Sequence, residues 1–140
     1  MCAINFSDAS KVAAERATEI TRFYDAALTL LYAVENFPGD RSNEDIAPED
    51  ADPMAYREKK ARAALAELGN HLAYEPLVQE VRFSTSLARQ ELACFAEEHN
   101  TDLVVVASYG QHGVTSILGP TAYRVTYSAS CDVLVVRAHV

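Results

Sequence analysis

Runs of apolar residues, broken at regular intervals by polar and turn-forming residues, dominate the pattern along this chain. A short apolar run, Met1 to Ile4, stops at Asn5-Phe6-Ser7-Asp8, where Ser7 or Asp8 is placed to cap a following helix. On that helix Ala13, Ala17, Ile20 and Tyr24 recur at the 3.6-residue period of one buried face. Ala27 to Val34 is then almost wholly apolar, a length and composition suited to a strand covered on both faces. Ala61, Leu65, Leu68 and Leu72 mark a second helix, with Gly69-Asn70 as its stop signal. Leu77 to Phe83 alternates as a weaker strand near a sheet edge. Ser84-Thr85-Ser86 opens a third helix whose stripe is Leu92, Phe95 and Ala96. Leu103 to Ala107 is the clearest buried strand. A glycine-bearing polar turn leads to a fourth helix with Leu118, Ala122, Val125 and Ala129 on one side, and Asp132 to Val136 is the last strand.

The order β-α-β-α-β-α-β-α-β, with right-handed crossovers, predicts an α/β fold: a doubly wound, five-stranded parallel sheet with helices on both faces. Strands are expected near residues 1–5, 27–35, 77–83, 102–107 and 132–137, the first of them short. The whole of residues 1–140 reads as one domain. Within it, residues 36–53 form an acidic, proline-containing loop: Asp40, Glu44, Asp45, Glu49, Asp50 and Asp52 outnumber Arg41 there.

Composition narrows the function. Apolar residues at 49% and charged residues at 23% exclude global disorder. Twelve Lys and Arg against 20 Asp and Glu give a formal charge of −8, which disfavours nonspecific binding to nucleic acid or anionic membrane. Cys2, Cys94 and Cys131 are widely spaced and odd in number, the usage of reduced thiols rather than of a disulfide framework. No apolar run has the length of a membrane span, and early polar residues argue against a signal peptide. The expected location is the cytoplasm.

Sheets of this kind bind ligands beyond the carboxyl ends of their strands. Two segments lie there: Asn5-Phe6-Ser7-Asp8, and the stretch from Ala107 through Gly110 and Gly113 to Gly119-Pro120-Thr121. Glycine backbone N–H groups and a helix start suit phosphate oxygens, although neither a Walker A pattern nor G-x-G-x-x-G is present. His71, His99, His112 and His139 lack metal-ligand spacing, so no metal is expected. Ser7, Asp8 and His112 offer a nucleophilic set only superficially, and Asp8 is better explained as a cap. Cys94 and Cys131 read as packing residues.

The run from Asp102 to Gly110, then Leu118-Gly119, then Ala129 to Val136, resembles the universal stress protein family. Cys2 to Asp8 and Leu28 to Glu35 are similar to its first two strands. The resemblance implies an adenine-nucleotide alpha-hydrolase-like fold of strand order 3-2-1-4-5, a homodimer, and in many members bound ATP or another adenine nucleotide. The family loop has the form G-x-x-G-x9-G-[S/T]. Here Ala107 stands at the first glycine, Gly110 and Gly119 retain the others one residue closer together, and Pro120 replaces the hydroxyl residue, with Thr121 following. Asn5 stands where family members carry an acidic residue, while Ala33 and Val106 match positions lining the adenine pocket.

Three readings of function follow. The first is a dimeric stress-response module binding ATP or AMP weakly, without catalytic residues. The second is a nucleotide-free interaction module. The third is a weak ATPase or nucleotide-dependent transferase. Pairing of two copies through the last strand (Val133, Leu134, Val135, Val136) is expected, since a long apolar edge otherwise invites aggregation.

Overall fold

The computed structural model describes residues 1–35, 47–84, 88–108 and 118–138. Nine elements alternate within them: β1 (Cys2–Ala3), α1 (Asp8–Tyr24), β2 (Leu28–Glu35), α2 (Pro53–Leu72), β3 (Leu77–Ser84), α3 (Ala88–Glu98), β4 (Leu103–Ala107), α4 (Pro120–Ser128) and β5 (Asp132–Val136). Every strand pairing is parallel, and the sheet order is β3-β2-β1-β4-β5. This is the doubly wound sheet that the alternation predicts. The chain winds outward from β1 in one direction and from β4 in the other, so the switch point lies between these two central strands.

Strand β1 is short but not loose. Cys2 lies opposite both Leu30 and Val105. Backbone bonds from Val105 N–H to Met1 O (2.8 Å) and from Ile4 N–H to Leu31 O (2.9 Å) extend its hold beyond the two ladder residues.

Two apolar layers flank the sheet. On one face α1 and α2 supply Ala13, Ala14, Ala17, Leu65 and Leu68 against Cys2, Leu30 and Val105. On the other, α3 and α4 supply Leu92, Phe95, Ala122 and Val125 against Leu31, Val104 and Val106.

The helix faces correct the sequence reading in places. The buried stripe of α1 is Ala13, Ala14, Ala17, Thr18 and Thr21, whereas Tyr24 is 73% exposed. Thr18 donates to Ala14 O (2.8 Å) and Thr21 to Ala17 O (3.1 Å), so both hydroxyls are satisfied on the helix and the methyl sides can be buried. Ser7, not Asp8, caps α1 by accepting from Ser10 N–H at 3.2 Å. Asp8 is exposed and faces Lys11.

Helix α2 begins at Pro53, capped by Asp52 through Met54 N–H at 3.0 Å, so Pro53 opens the helix rather than closing the loop. Residues 36–46 of that loop lie outside the described residues. The helix also runs past Gly69-Asn70 to Leu72, ending at Ala73 in the left-handed region (φ 47°). Gly69 serves packing instead: a Cβ there would meet Gln79 Nε2 at 2.5 Å and Leu77 Cδ2 at 3.0 Å on β3. Ser84 ends β3, and Thr85 and Ser86 lie outside the described residues. Leu92, Phe95 and Ala96 are buried as read, but Cys94 on the same helix is exposed and packs into neither layer.

Candidate functional site

A pocket of about 120 Å³ opens beyond the carboxyl ends of β1 and β4, at the switch point. The end of β1 contributes Ala3, Ile4 and Asn5, and α1 contributes Ser10. Ala33 comes from β2, Val106 and Ala107 from β4. The start of α4 closes the pocket with Gly119, Pro120, Thr121 and Ala122. Seven residues singled out in the sequence therefore meet here: Asn5, Ala33, Val106, Ala107, Gly119, Pro120 and Thr121. Gly110 and Gly113 lie outside the described residues, as does His112.

Ala3, Ile4, Ser10 and Ala122 also line the pocket and were not singled out. Ser10 carried a usable signal. It precedes Ala13, Ala14 and Ala17 at helical spacing, so a polar residue at position 10 was bound for the buried face near the sheet's carboxyl end.

The turn from β1 into α1 is held by a small polar network. Asn5 Oδ1 accepts from Ser7 N–H (3.1 Å) and from the Ser7 hydroxyl (2.5 Å). Asn5 N–H donates to Ser10 Oγ at 3.4 Å, and Ser10 Oγ–H donates to Ser7 O at 2.9 Å. Phe6 between them takes φ 61°, a left-handed conformation that a bulky residue adopts only under constraint. Its ring packs on Tyr32 at 4.7 Å between centroids. The side-chain oxygen of Asn5 is thus already engaged in shaping the turn.

At the other wall, Gly119 N–H donates to Ser108 O, and Ser108 N–H to Val136 O (2.8 Å), which ties the start of α4 to the ends of β4 and β5. Pro120 occupies the first helical position and brings no N–H. Tyr123 N–H closes the first turn on Gly119 O at 2.9 Å. The first-turn N–H groups of Thr121 and Ala122, both pocket-lining residues, are those that a helix leaves to a ligand or solvent. Ala107 is not among the residues with positive φ, so alanine at the first glycine position carries no backbone strain here.

The described lining side chains are apolar or neutral: alanines, Ile4, Val106 and Pro120 beside Asn5, Ser10 and Thr121. They can enclose a flat apolar ring and offer hydrogen bonds, but they include no general acid or base. Cys2 lies in the core on β1, where burial pushes its thiol up to about 12. Cys131, before β5, is also raised by desolvation. Among the described residues no group of three or more His, Cys, Asp or Glu could hold a metal. His71 pairs with Glu15 at 3.1 Å between α2 and α1, and His99 stacks on Phe95 at 3.9 Å. Neither lines the pocket.

Comparison with known proteins adds four findings. The profile of the universal stress protein family matches residues 1–137. Universal stress protein A homolog 1 of Coxiella burnetii is 31% identical over 136 residues, spanning 97% of this chain and 93% of that protein. Among solved structures, the universal stress protein UspA from Lactobacillus plantarum superposes with a TM-score of 0.75 at 23% identity, covering 96% of this chain and 94% of its own. A universal stress protein in complex with cAMP superposes at 0.67 and 20% identity, covering 96% and 93%.

Proposed function

The chain belongs to the universal stress protein family, and from that premise we propose that it is a regulatory module that binds an adenine nucleotide in the switch-point pocket without turning it over. The observation that carries this reading is the convergence of Asn5, Ala33, Val106, Ala107, Gly119, Pro120 and Thr121 on one pocket at the ligand-binding end of the sheet. The adenine would lie among Ala33, Val106 and Ile4. The phosphate would face Thr121 and the first-turn N–H groups of α4, helped by the positive end of the helix dipole. A structurally similar protein is described in complex with cAMP, which supports an adenine nucleotide as the ligand class.

Binding on this reading is weak. Pro120 withholds one donor, Gly119 N–H is engaged by Ser108 O, and Asn5 is neutral and tied to Ser7. Each hydrogen bond lost to a charged phosphate is worth about 1.5–3 kcal/mol, roughly ten- to a hundredfold in affinity. The same engaged groups favour the second reading, a nucleotide-free interaction module. Calorimetric titration with ATP or AMP and magnesium separates the two. The first reading expects a dissociation constant in the micromolar-to-millimolar range, weakened when Ala33→Phe fills the pocket. Silence at millimolar nucleotide leaves the nucleotide-free module. Phosphate release under the same conditions would instead revive the ATPase reading.

The module works as a homodimer paired through the edge of β5, Val133 to Val136, and in the cytoplasm, where a reducing milieu suits three free cysteines. Sedimentation of the wild-type protein at the mass of one chain would remove the dimer from this account.

A further inference from the structure

Ser108, the residue after β4, is wholly buried, and among the described residues its hydroxyl is the one buried side-chain oxygen with no hydrogen-bond partner. The only other unbonded buried side-chain atom described, Arg82 Nε, still faces a Glu80 carboxylate oxygen at 3.4 Å. Elsewhere the buried hydroxyls are engaged: Ser10 donates to Ser7 O (2.9 Å), Thr18 to Ala14 O (2.8 Å) and Thr21 to Ala17 O (3.1 Å). A hydroxyl that has lost water and gained no partner makes the fold less stable than alanine would in the same space. A serine at such a position calls for an acceptor from outside the chain.

The backbone of Ser108 puts this hydroxyl at the start of α4. Its N–H donates to Val136 O at 2.8 Å, which carries the β4–β5 ladder one residue beyond Ala107. The alternation of β4 therefore continues: Val104 and Val106 pack in the layer under α3 and α4, and Ser108 is next in that phase. Its carbonyl accepts from the N–H of Gly119, the N-cap of α4. Ala107, its neighbour in the chain, and Gly119, its bonded neighbour, both line the switch-point pocket, whereas Ser108 itself is not among the lining residues. The hydroxyl is thus one residue from the pocket wall on two sides, at the phosphate end of the pocket.

We propose that the Ser108 hydroxyl is a donor held for the nucleotide's phosphate, one of whose oxygens becomes its acceptor at the start of α4. The proposal rests on the reading of the switch-point pocket as an adenine-nucleotide site and adds a residue to its phosphate end. Phosphate oxygens only accept, and a hydroxyl donating to an anion makes a short, charge-assisted bond about twice as strong as a neutral one. The first turn of α4 favours negative charge at the same place. Pro120 brings neither an N–H nor a hydroxyl there, and Ser108 supplies a hydroxyl from beneath the turn. Gly119, which has no side chain, has only its backbone to move aside. The adenine end of the pocket, among Ala33, Val106 and Ile4, makes no use of Ser108.

Calorimetric titration of the wild type and Ser108→Ala with AMP and with adenosine tests this, beside chemical denaturation of both proteins without ligand. Ser108→Ala should weaken AMP by about tenfold or more and leave adenosine unchanged. Its denaturation midpoint should equal or exceed that of the wild type, since the substitution removes no bond. Equal loss of AMP and adenosine would mean that Ser108 only shapes the pocket. A lower midpoint would mean that the hydroxyl is already bonded in the free protein, and either result overturns the proposal. If Ser108→Ala binds AMP like the wild type, the hydroxyl is overturned while the nucleotide reading stands. If the wild type binds neither AMP nor adenosine at millimolar concentration, the nucleotide reading falls and takes the proposal with it.

Discussion

Pro120 opens α4 at one wall of the pocket. It suits the first turn of α4, yet it takes away the N–H and the hydroxyl that a serine or threonine would present to phosphate. Pro120→Ser should therefore raise affinity for an adenine nucleotide about tenfold or more, read as a lower dissociation constant by calorimetry. An unchanged constant would mean that phosphate does not sit at the start of α4. Cys2 gives a second residue-scale expectation, in alkali. Its folded-state thiol is raised by burial from the ordinary 9.0 to about 12. The protonated form thus contributes stability that is complete below about pH 9 and is lost as pH climbs toward the folded value. Denaturant midpoints should fall between about pH 9 and pH 11, and Cys2→Val should flatten that fall relative to wild type. Part of the pocket was legible at this scale, because Asn5, Ala107 and Gly119 to Thr121 stand where a strand ends or a helix opens, positions fixed by the alternation. Ala33 and Val106, inside β2 and β4, were reached only through the resemblance. The bonding of Asn5 was not legible, because the fold brings Ser7 back onto Oδ1 only once Phe6 takes its left-handed turn.

Among the elements, the strands were read more closely than the helix faces and ends. A strand that is a nearly continuous apolar run announces itself without knowledge of its neighbours, and β2 and β4 lie within one residue of the expected bounds. Helix α1 shows the contrary case. An apolar-only stripe selects Tyr24 and passes over Thr18 and Thr21, whose hydroxyls become harmless to burial only after bonding to the preceding turn. Helix α2 shows the other failure. Gly69 resembles a stop, but Arg22 reaches across to Leu72 O (3.1 Å) and Ala73 O (3.2 Å) and satisfies carbonyls beyond it. If Gly69 is there so that α2 can approach β3, Gly69→Ala should alter stability by less than about 1 kcal/mol. Its Cβ can displace the mobile end of Gln79, and alanine is the better helix former. Gly69→Val has no such escape and should cost about 1–3 kcal/mol by equilibrium unfolding.

For the whole molecule, the winding order has the largest consequence. Two apolar layers on a single sheet leave the crevice between β1 and β4 as the place where β1, β2, β4, α1 and α4 all present residues to one pocket. The order was expected from a resemblance, while the alternation alone required only a parallel sheet. Affinity was beyond the sequence, since it depends on a surface that exists only after folding, the first turn of α4. The central claim is that this pocket takes the nucleotide, and a heteronuclear NMR titration of isotope-labelled protein with AMP or ATP tests it residue by residue. The account predicts saturable shifts at the amides of Asn5, Ala33, Val106, Thr121 and Ala122, with Phe23 and Val78 unmoved. Shifts centred elsewhere, or none at millimolar nucleotide, would contradict it.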